Sequence, residues 1–195
     1  LLRSLDSQGL LTNASAHAFM SVPREKFVPP QHIEFAYSDV AIPLKTGSTI
    51  SQPSMLAIML RELQLFAGAR VLEIGSGSGY MLALMHAMGA VVEGVEIDSK
   101  LAEISRQTLR SLGIEAVVHS GDASSVGLDQ PFDRVLFSAA ISRVPEWAAK
   151  LLTPEGFVLA PVGDEYEQEL IRAYQDRTER VGVPCRFVPF IKPPI

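Results

Sequence analysis

Ten residues, Val71-Leu72-Glu73-Ile74-Gly75-Ser76-Gly77-Ser78-Gly79-Tyr80, constrain this chain more than any other stretch. A mostly apolar run with the length of a buried parallel strand meets a turn with glycine at every second position, and Met81 to Met88 beyond it reads as a helix. Glycine suits such a turn because the chain bends sharply and a missing Cβ lets a ligand approach the backbone. Strand, glycine turn and helix open a nucleotide-binding unit. A dinucleotide fingerprint requires G-x-G-x-x-G, and the sixth position counted from Gly75 is Tyr80, so that match fails at its third glycine.

What remains, E-x-G-x-G-x-G, resembles the form found in class I S-adenosylmethionine methyltransferases. That cofactor has no pyrophosphate to seat on a helix N-terminus. It presents a methionine ammonium and carboxylate, which suits an acid, Glu73, beside open backbone groups at Gly75, Ser76, Gly77 and Gly79. A second strand-like run, Val91 to Val95, leads to Glu96, 21 residues beyond Gly75. An acid about 20 residues on is the expected acceptor for ribose hydroxyls. Glu96 is favoured for its strand-end position, with Glu93 and Asp98 competing nearby. A third strand, Glu115 to His119, runs into Ser120-Gly121-Asp122-Ala123, where Asp122 is placed to accept from an adenine amino group and the backbone at Ala123 to face the ring. The alternative for Asp122 is an ordinary turn aspartate.

The same alternation continues along the chain. Leu1 to Met20 reads as helical, broken near Thr12-Asn13, where a cap starts a second short helix. Ser21 to Pro53 holds Pro23, Pro29, Pro30, Pro43 and Pro53 and is no single regular element; a long irregular stretch of this kind is commonly functional. Met55 to Phe66 follows as an amphipathic helix with Pro53 in its first turn, and Ser99 caps a helix over Lys100 to Leu112. A fourth strand spans Asp133 to Ser138, a short helix Pro145 to Leu152, and a turn at Thr153-Pro154-Glu155-Gly156 precedes a fifth strand, Phe157 to Val162. Val181-Gly182-Val183-Pro184 reads as a turn before a strand-like Cys185 to Phe190, so a terminal antiparallel pair covers the sheet edge; a helix over Gln168 to Arg180 is the alternative. The expected architecture is α/β: a Rossmann-like, doubly wound, mostly parallel sheet with helices on both faces, an N-terminal helical and irregular extension (1–66), a cofactor-binding core (67–163) and a C-terminal strand pair (164–195).

Composition narrows the function classes. The 195 residues suit one domain able to bury about 70% of its unfolded surface. A net charge of −5 provides no basic footprint for nucleic acid. Four histidines, at 17, 32, 86 and 119, lack ligand spacing, so no metal site is expected. Cys185 is the one cysteine, which excludes an intramolecular disulfide, fits a reducing, cytoplasmic setting and reads as a small buried strand residue. No apolar stretch has the length of a membrane span and no signal peptide is read, although whatever precedes Leu1 is not visible here.

Beyond the glycine turn, residues from about Leu10 to Ile191 resemble the protein-L-isoaspartate O-methyltransferases. Val22-Pro23-Arg24-Glu25-Lys26-Phe27-Val28-Pro29 is similar to that family's amino-terminal signature, with Ala36-Tyr37-Ser38-Asp39 at a matching interval. Thr49-Ile50-Ser51-Gln52-Pro53 resembles its most distinctive segment. Phe132-Asp133-Arg134-Val135, Ala139-Ala140, Val144-Pro145, Pro161-Val162-Gly163 and Arg186-Phe187-Val188-Pro189 complete the series. Lys45 and Ser48 stand where the family commonly has glycine and glutamine, and Ala123 where it usually has glycine.

The resemblance implies methyl transfer from S-adenosyl-L-methionine, leaving S-adenosyl-L-homocysteine, to the α-carboxyl of L-isoaspartyl residues in damaged proteins or peptides. The ester then collapses to a succinimide that hydrolyses in part to aspartate. It also implies that Ser51 orients the substrate carboxylate or the cofactor, that Thr49 and Ile50 line the acceptor pocket, and that Val188 approaches from the carboxyl-terminal strand. Read from residues alone, Ser51 caps the following helix and Val188 is an edge-strand residue. The expected partners are isoaspartyl-bearing polypeptides, with no nucleic acid and no membrane; the oligomeric state is not legible, and a monomer is the working expectation. Two other readings stand beside repair: a carboxylate O-methyltransferase for a dedicated peptide or small molecule, and a cofactor-binding protein without catalysis.

Overall fold

The computed structural model describes residues 1–44, 47–128 and 131–191. Lys45 therefore lies outside the described residues. The chain opens with helices α1 (Leu2–Ser7) and α2 (Asn13–Ser21). The break between them is a reciprocal cap: Thr12 Oγ1 accepts from Ser15 N at 3.1 Å and Ser15 Oγ accepts from Thr12 N at 2.9 Å. Two such bonds satisfy donors that the first turn of a helix leaves unpaired. The proline-rich stretch forms 3-10 turns at Arg24–Lys26 and Pro30–Phe35, then a small antiparallel pair, β1 (Ile42–Pro43) with β2 (Thr49–Ile50).

Helix α3 (Pro53–Glu62) follows, with proline at its start. It ends earlier than the expected Phe66. Gln64 turns to φ 48°, and the last carbonyls are taken by distant arginines: Arg172 Nε donates to Glu62 O at 2.9 Å and Arg134 Nε to Leu63 O at 2.7 Å. Sequence periodicity cannot register a C-terminus that is satisfied from residues so far along the chain.

The core alternates β3 (Arg70–Ile74), α4 (Tyr80–Ala87), β4 (Val91–Glu96), α5 (Ser99–Ser111), β5 (Ala116–Ser120), β6 (Phe132–Phe137), α6 (Glu146–Lys150), β7 (Leu152–Gly163), β8 (Gln168–Ala173) and β9 (Thr178–Cys185). One seven-stranded sheet runs β5-β4-β3-β6-β7-β8-β9, parallel through β7 and antiparallel thereafter. Alternate residues of the central strands enter different cores, as a two-residue period requires. Val71, Leu136, Phe157 and Leu159 pack in a core shared with α1 to α5, while Leu72, Ile74, Val135, Phe137 and Val158 pack in another with Trp147 and Ala148 of α6. Burial on both faces explains why these strands read as continuous apolar runs. The direction of chain progression reverses between β3 and β6, which opens a crevice at their carboxyl ends.

Three local expectations need correction. Asp98, not Ser99, caps α5: its Oδ1 accepts from Lys100 N at 2.9 Å and Leu101 N at 3.1 Å. The Thr153 to Gly156 turn is absorbed as an irregularity inside β7, where Phe132 pairs with Leu152 but Arg134 already pairs with Phe157. Val181 to Pro184 is not a turn before a strand but part of β9, and residues beyond Cys185 leave the sheet. Between the pairs Glu169↔Pro184 and Ile171↔Arg180 the register shifts, and Gly182 takes φ 75° there. The glycine and proline signals thus mark a bulge on an edge strand, where proline costs no ladder bond. The expected terminal antiparallel pair is present as β8 and β9, in place of the alternative helix.

At the start of α4, Gly79 combines φ 84° with a closely packed α-carbon: an added Cβ would collide with Ser105 Oγ and lie 3.1 Å from Leu109 Cδ1. Gly79→Ala is expected to destabilise the protein by about 2–4 kcal/mol through left-handed strain and overpacking. The urea unfolding midpoint measures this; a change below about 0.5 kcal/mol would contradict the packing described.

Candidate functional site at the carboxyl ends of β3, β4 and β6

The glycine turn is fastened to the end of β4. Gly75 N and Ser76 N both donate to Val95 O, at 2.8 and 3.1 Å, and Gly77 N donates to Glu96 Oε2 at 2.8 Å. Gly75, Gly77 and Gly79 all have positive φ, which leaves the turn's outer face bare of side chains at alternate residues. The other Glu96 oxygen accepts from Asp98 N at 3.0 Å, and the side chain is buried. Its two competitors are engaged elsewhere. Glu93 pairs with His119 at 3.1 Å and Arg70 at 3.6 Å, while Asp98 caps α5. Of the three acids, Glu96 is the one that touches the glycine turn.

Glu73 points into the interior beneath this turn. Ser138, just past β6, donates from Oγ to Glu73 Oε1 at 2.6 Å, whereas Glu73 Oε2 is buried without a hydrogen-bond partner. Burial pushes the carboxyl up to about 8; the Ser138 bond opposes that rise and the nearby Glu96 charge adds to it. A buried acceptor with no partner is costly, so this oxygen suits a cationic or hydrogen-bonding ligand group.

After β5, Gly121 N donates to Glu96 O at 2.9 Å, which brings the Asp122 loop alongside. Asp122 Oδ1 accepts from Ser124 N at 3.0 Å and Oδ2 from Ser124 Oγ at 2.7 Å, so its carboxylate is engaged within its own turn; Ala123 beside it is buried.

Thr49 and Ser51 form one wall of a cavity of about 400 Å³, lined also by Met55, Cys185, Arg186 and Phe187. Burial pushes the Cys185 thiol up to about 11, which keeps it protonated and unreactive at neutral pH. Ile50 is buried and pairs with Ile42, so its side chain belongs to the core. Ser51 does not cap α3: Gln52 occupies the cap position, and Asp39 Oδ1 accepts the hydrogen bond from Ser54 N at 2.8 Å. Val188 lies beside this wall, its carbonyl accepting from Ala140 N at 2.8 Å, while Phe187 and Pro189 on either side line cavities.

Three further residues shape the site. Arg24 is fully buried, donates from Nη2 to Ser51 O at 2.9 Å and lies over the Tyr80 ring at 4.8 Å. Asp39 orients the start of α3, and Ser138 holds Glu73. Arg24 and Asp39 sit in segments whose sequence is distinctive, but nothing local distinguishes a buried arginine or a remote cap from surface charge. Among the described residues no group of three or more His, Cys, Asp or Glu is placed to hold a metal ion.

The Glu73 carboxyl has a stability consequence in the ligand-free protein. It keeps its proton to about pH 8 when folded, but an unfolded glutamate loses it near pH 4.3. Unfolding between these values releases a proton, so stability falls as pH rises through that window, and the loss is complete above the folded value. Glu73→Gln abolishes this term. The melting temperature of the variant, relative to wild type, is expected to climb from about pH 5 to about pH 8.5; a constant difference would contradict the buried, protonated carboxyl.

Residues 1–193 match the model of the family described as Protein-L-isoaspartate(D-aspartate) O-methyltransferase. A protein-L-isoaspartate O-methyltransferase of Gloeobacter violaceus is 38% identical over 195 residues, covering 96% of this chain and 95% of the relative. One from Roseiflexus sp. is 41% identical over 194 residues, covering 96% and 88%. Among solved structures, a Plasmodium falciparum protein described as a protein-L-isoaspartate O-methyltransferase, in complex with S-adenosyl-L-homocysteine, superposes with a TM-score of 0.84 at 25% identity, covering 96% of this chain and 95% of that one. The full-length match and the shared fold carry the same conclusion as the chain's terminal and Thr49-Ile50-Ser51 segments: this chain belongs to the protein-L-isoaspartate(D-aspartate) O-methyltransferase family.

Proposed function

We propose that this chain transfers a methyl group from S-adenosyl-L-methionine to the α-carboxyl of L-isoaspartyl residues in damaged polypeptides, the first step of their repair. The observation that carries this reading is the Arg24 bridge. One buried guanidinium grips the Ser51 carbonyl and covers the ring of Tyr80, the residue that follows the glycine turn, so the acceptor segment is held beside the donor turn.

The residues present fit the cofactor. Glu73 Oε2 is a buried acceptor without a partner, suited to an ammonium group, and the Gly75 to Gly79 turn offers bare backbone. Glu96 supports the ribose, and Asp122 and Ala123 the adenine. When bound, the cofactor supplies a methyl group already activated on a sulfonium. Glu73 holds its proton in the ligand-free protein and releases it to solvent when a positive charge sits beside it.

The acceptor needs little chemical help. A carboxylic acid with a pKa near 4 is ionised at neutral pH, so no general base is required. The protein's task is alignment and exclusion of water. Ser51 orients the carboxylate through its hydroxyl and is not a nucleophile. Thr49 and the backbone of Ile50 border the cavity, and Val188 approaches from the carboxyl-terminal segment. The substrate is polypeptide, not nucleic acid, in keeping with the net charge of −5. No helix of the described residues is long and apolar enough to cross a membrane, the lone cysteine suits a reducing, cytoplasmic setting, and the chain is taken to act as a monomer.

Methyl transfer to an isoaspartyl peptide and to its aspartyl twin tests the proposal. Turnover of the isoaspartyl form alone is expected; equal or absent activity on it would remove the repair reading. Ser51→Ala is expected to lower kcat by about tenfold or more, with S-adenosyl-L-homocysteine affinity within about twofold by calorimetry. A large loss of that affinity would move Ser51 from acceptor to cofactor.

A further inference from the structure

The carboxyl-terminal segment faces Ser51 without being part of the sheet. Strand β9 ends at Cys185, whose partner across the ladder is Gln168, the first residue of β8. Upstream of Gln168 the backbone turns back toward β7, with Asp164 N bonded to Glu167 O at 3.0 Å. Phe187 therefore has no neighbouring strand to pair with. The side chain of Gln168 takes that place: Phe187 N donates to its Oε1 at 2.6 Å, and its Nε2 donates to Phe187 O at 3.2 Å. The same Nε2 also reaches Asp164 O at 3.0 Å, and the side chain is buried. One amide meets both backbone groups of a single residue, as a paired strand would.

What this clamp holds is the wall between two cavities. Arg186 and Phe187 line the 400 Å³ cavity containing Thr49 and Ser51, and also a larger one of about 1260 Å³ reaching Ser142, Trp147 and Lys150. Past Phe187 the chain is anchored independently, since Ala140 N donates to Val188 O and Phe190 N donates to Ala140 O, each at 2.8 Å. Gln168 thus governs the Arg186–Phe187 part of the wall, and Ala140 the part beyond it.

We infer that Gln168 is a positioning residue for the acceptor polypeptide: its amide sets the Arg186–Phe187 wall along which substrate main chain lies when its carboxylate is at Ser51. This rests on the acceptor reading of the Ser51 cavity. It separates acceptor binding from cofactor binding, because the hydrogen bonds of the Gln168 side chain go to Asp164 and Phe187 and not to the glycine turn.

Two variants test it. Gln168→Met keeps the length and burial but none of the three hydrogen bonds. Its Phe187 amide is expected to exchange hydrogen at least about tenfold faster, with the Phe190 amide unchanged. Its KM for an isoaspartyl peptide is expected to rise about tenfold, with kcat and S-adenosyl-L-homocysteine affinity within about twofold. Gln168→Glu can accept from Phe187 N at any pH, but can donate to Phe187 O only when protonated. Its KM is therefore expected to fall toward the wild-type value as pH drops from about 8 to about 6, a trend absent from wild type. This series carries the test even if the methionine variant fails to fold. An unmoved KM in Gln168→Met, a parallel loss of cofactor affinity, or a Gln168→Glu profile parallel to wild type would overturn the role of Gln168. Absence of wild-type turnover on the isoaspartyl peptide would instead overturn the reading of the site, and the Phe187 exchange rate would still decide whether the clamp exists.

Discussion

A guanidinium with no exposure to solvent organises the approach of three separate parts of this chain. Arg24 belongs to the irregular N-terminal stretch, Ser51 to the segment after β2, and Tyr80 to the first turn of α4. Burying an arginine is unfavourable unless its charge is compensated, and here compensation comes from a carbonyl at 2.9 Å and an aromatic face at 4.8 Å. Burial lowers the tendency of Arg24 to hold its proton, while the neighbouring Tyr80 and Asp39 oppose that shift. The compensation is partial: Nη2 meets the Ser51 carbonyl, while Nε and Nη1 are buried without a hydrogen-bond partner, so a displaced Ser51 carbonyl would remove the hydrogen bond that the buried guanidinium makes to this segment. The acceptor segment inherits its position from this requirement.

The donor side is organised by carboxylates in two different roles. Glu96 accepts two backbone N–H groups and fastens the glycine turn to β4, so its charge is compensated by the fold. Glu73 receives one hydroxyl and keeps a second oxygen unpartnered in the interior, so it stays protonated until something positive arrives. The two acids sit on neighbouring parallel strands, Glu73 on β3 and Glu96 at the end of β4. Their surroundings differ because of segments that pack against them from elsewhere in the chain: the Gly77 amide reaches Glu96 from the glycine turn, and the Ser138 hydroxyl reaches Glu73 from beyond β6.

Much of the architecture was legible because the periodicities are strong. The strands around residues 71 and 133 follow from burial on both faces, those around 91 and 116 from short β-branched runs, and the start of α2 from its cap at Thr12. The misreadings fall where a nonlocal partner decides. Helix α3 stops at Glu62 because Arg134 and Arg172 take its last carbonyls, and Val181 to Pro184 stays in β9 because an edge strand accommodates a bulge. Ser51 appeared as a cap for the same reason: the true partner of the α3 N-terminus, Asp39, comes from outside the local sequence.

The sequence by itself determined the nucleotide-binding core, the candidate acids Glu73, Glu96 and Asp122, and, through its resemblance segments, the family. These are properties of residue type and spacing along one strand or turn, where each residue's neighbours are fixed by the local backbone. Only the tertiary structure decided that Glu96 and not Glu93 or Asp98 meets the turn, that Asp122 is engaged by Ser124, that Ser51 faces a cavity, and that Gln168 stands in for a missing strand. Those outcomes depend on which buried polar groups find partners across the fold, and the cost of leaving one unpaired is settled only when distant segments pack together.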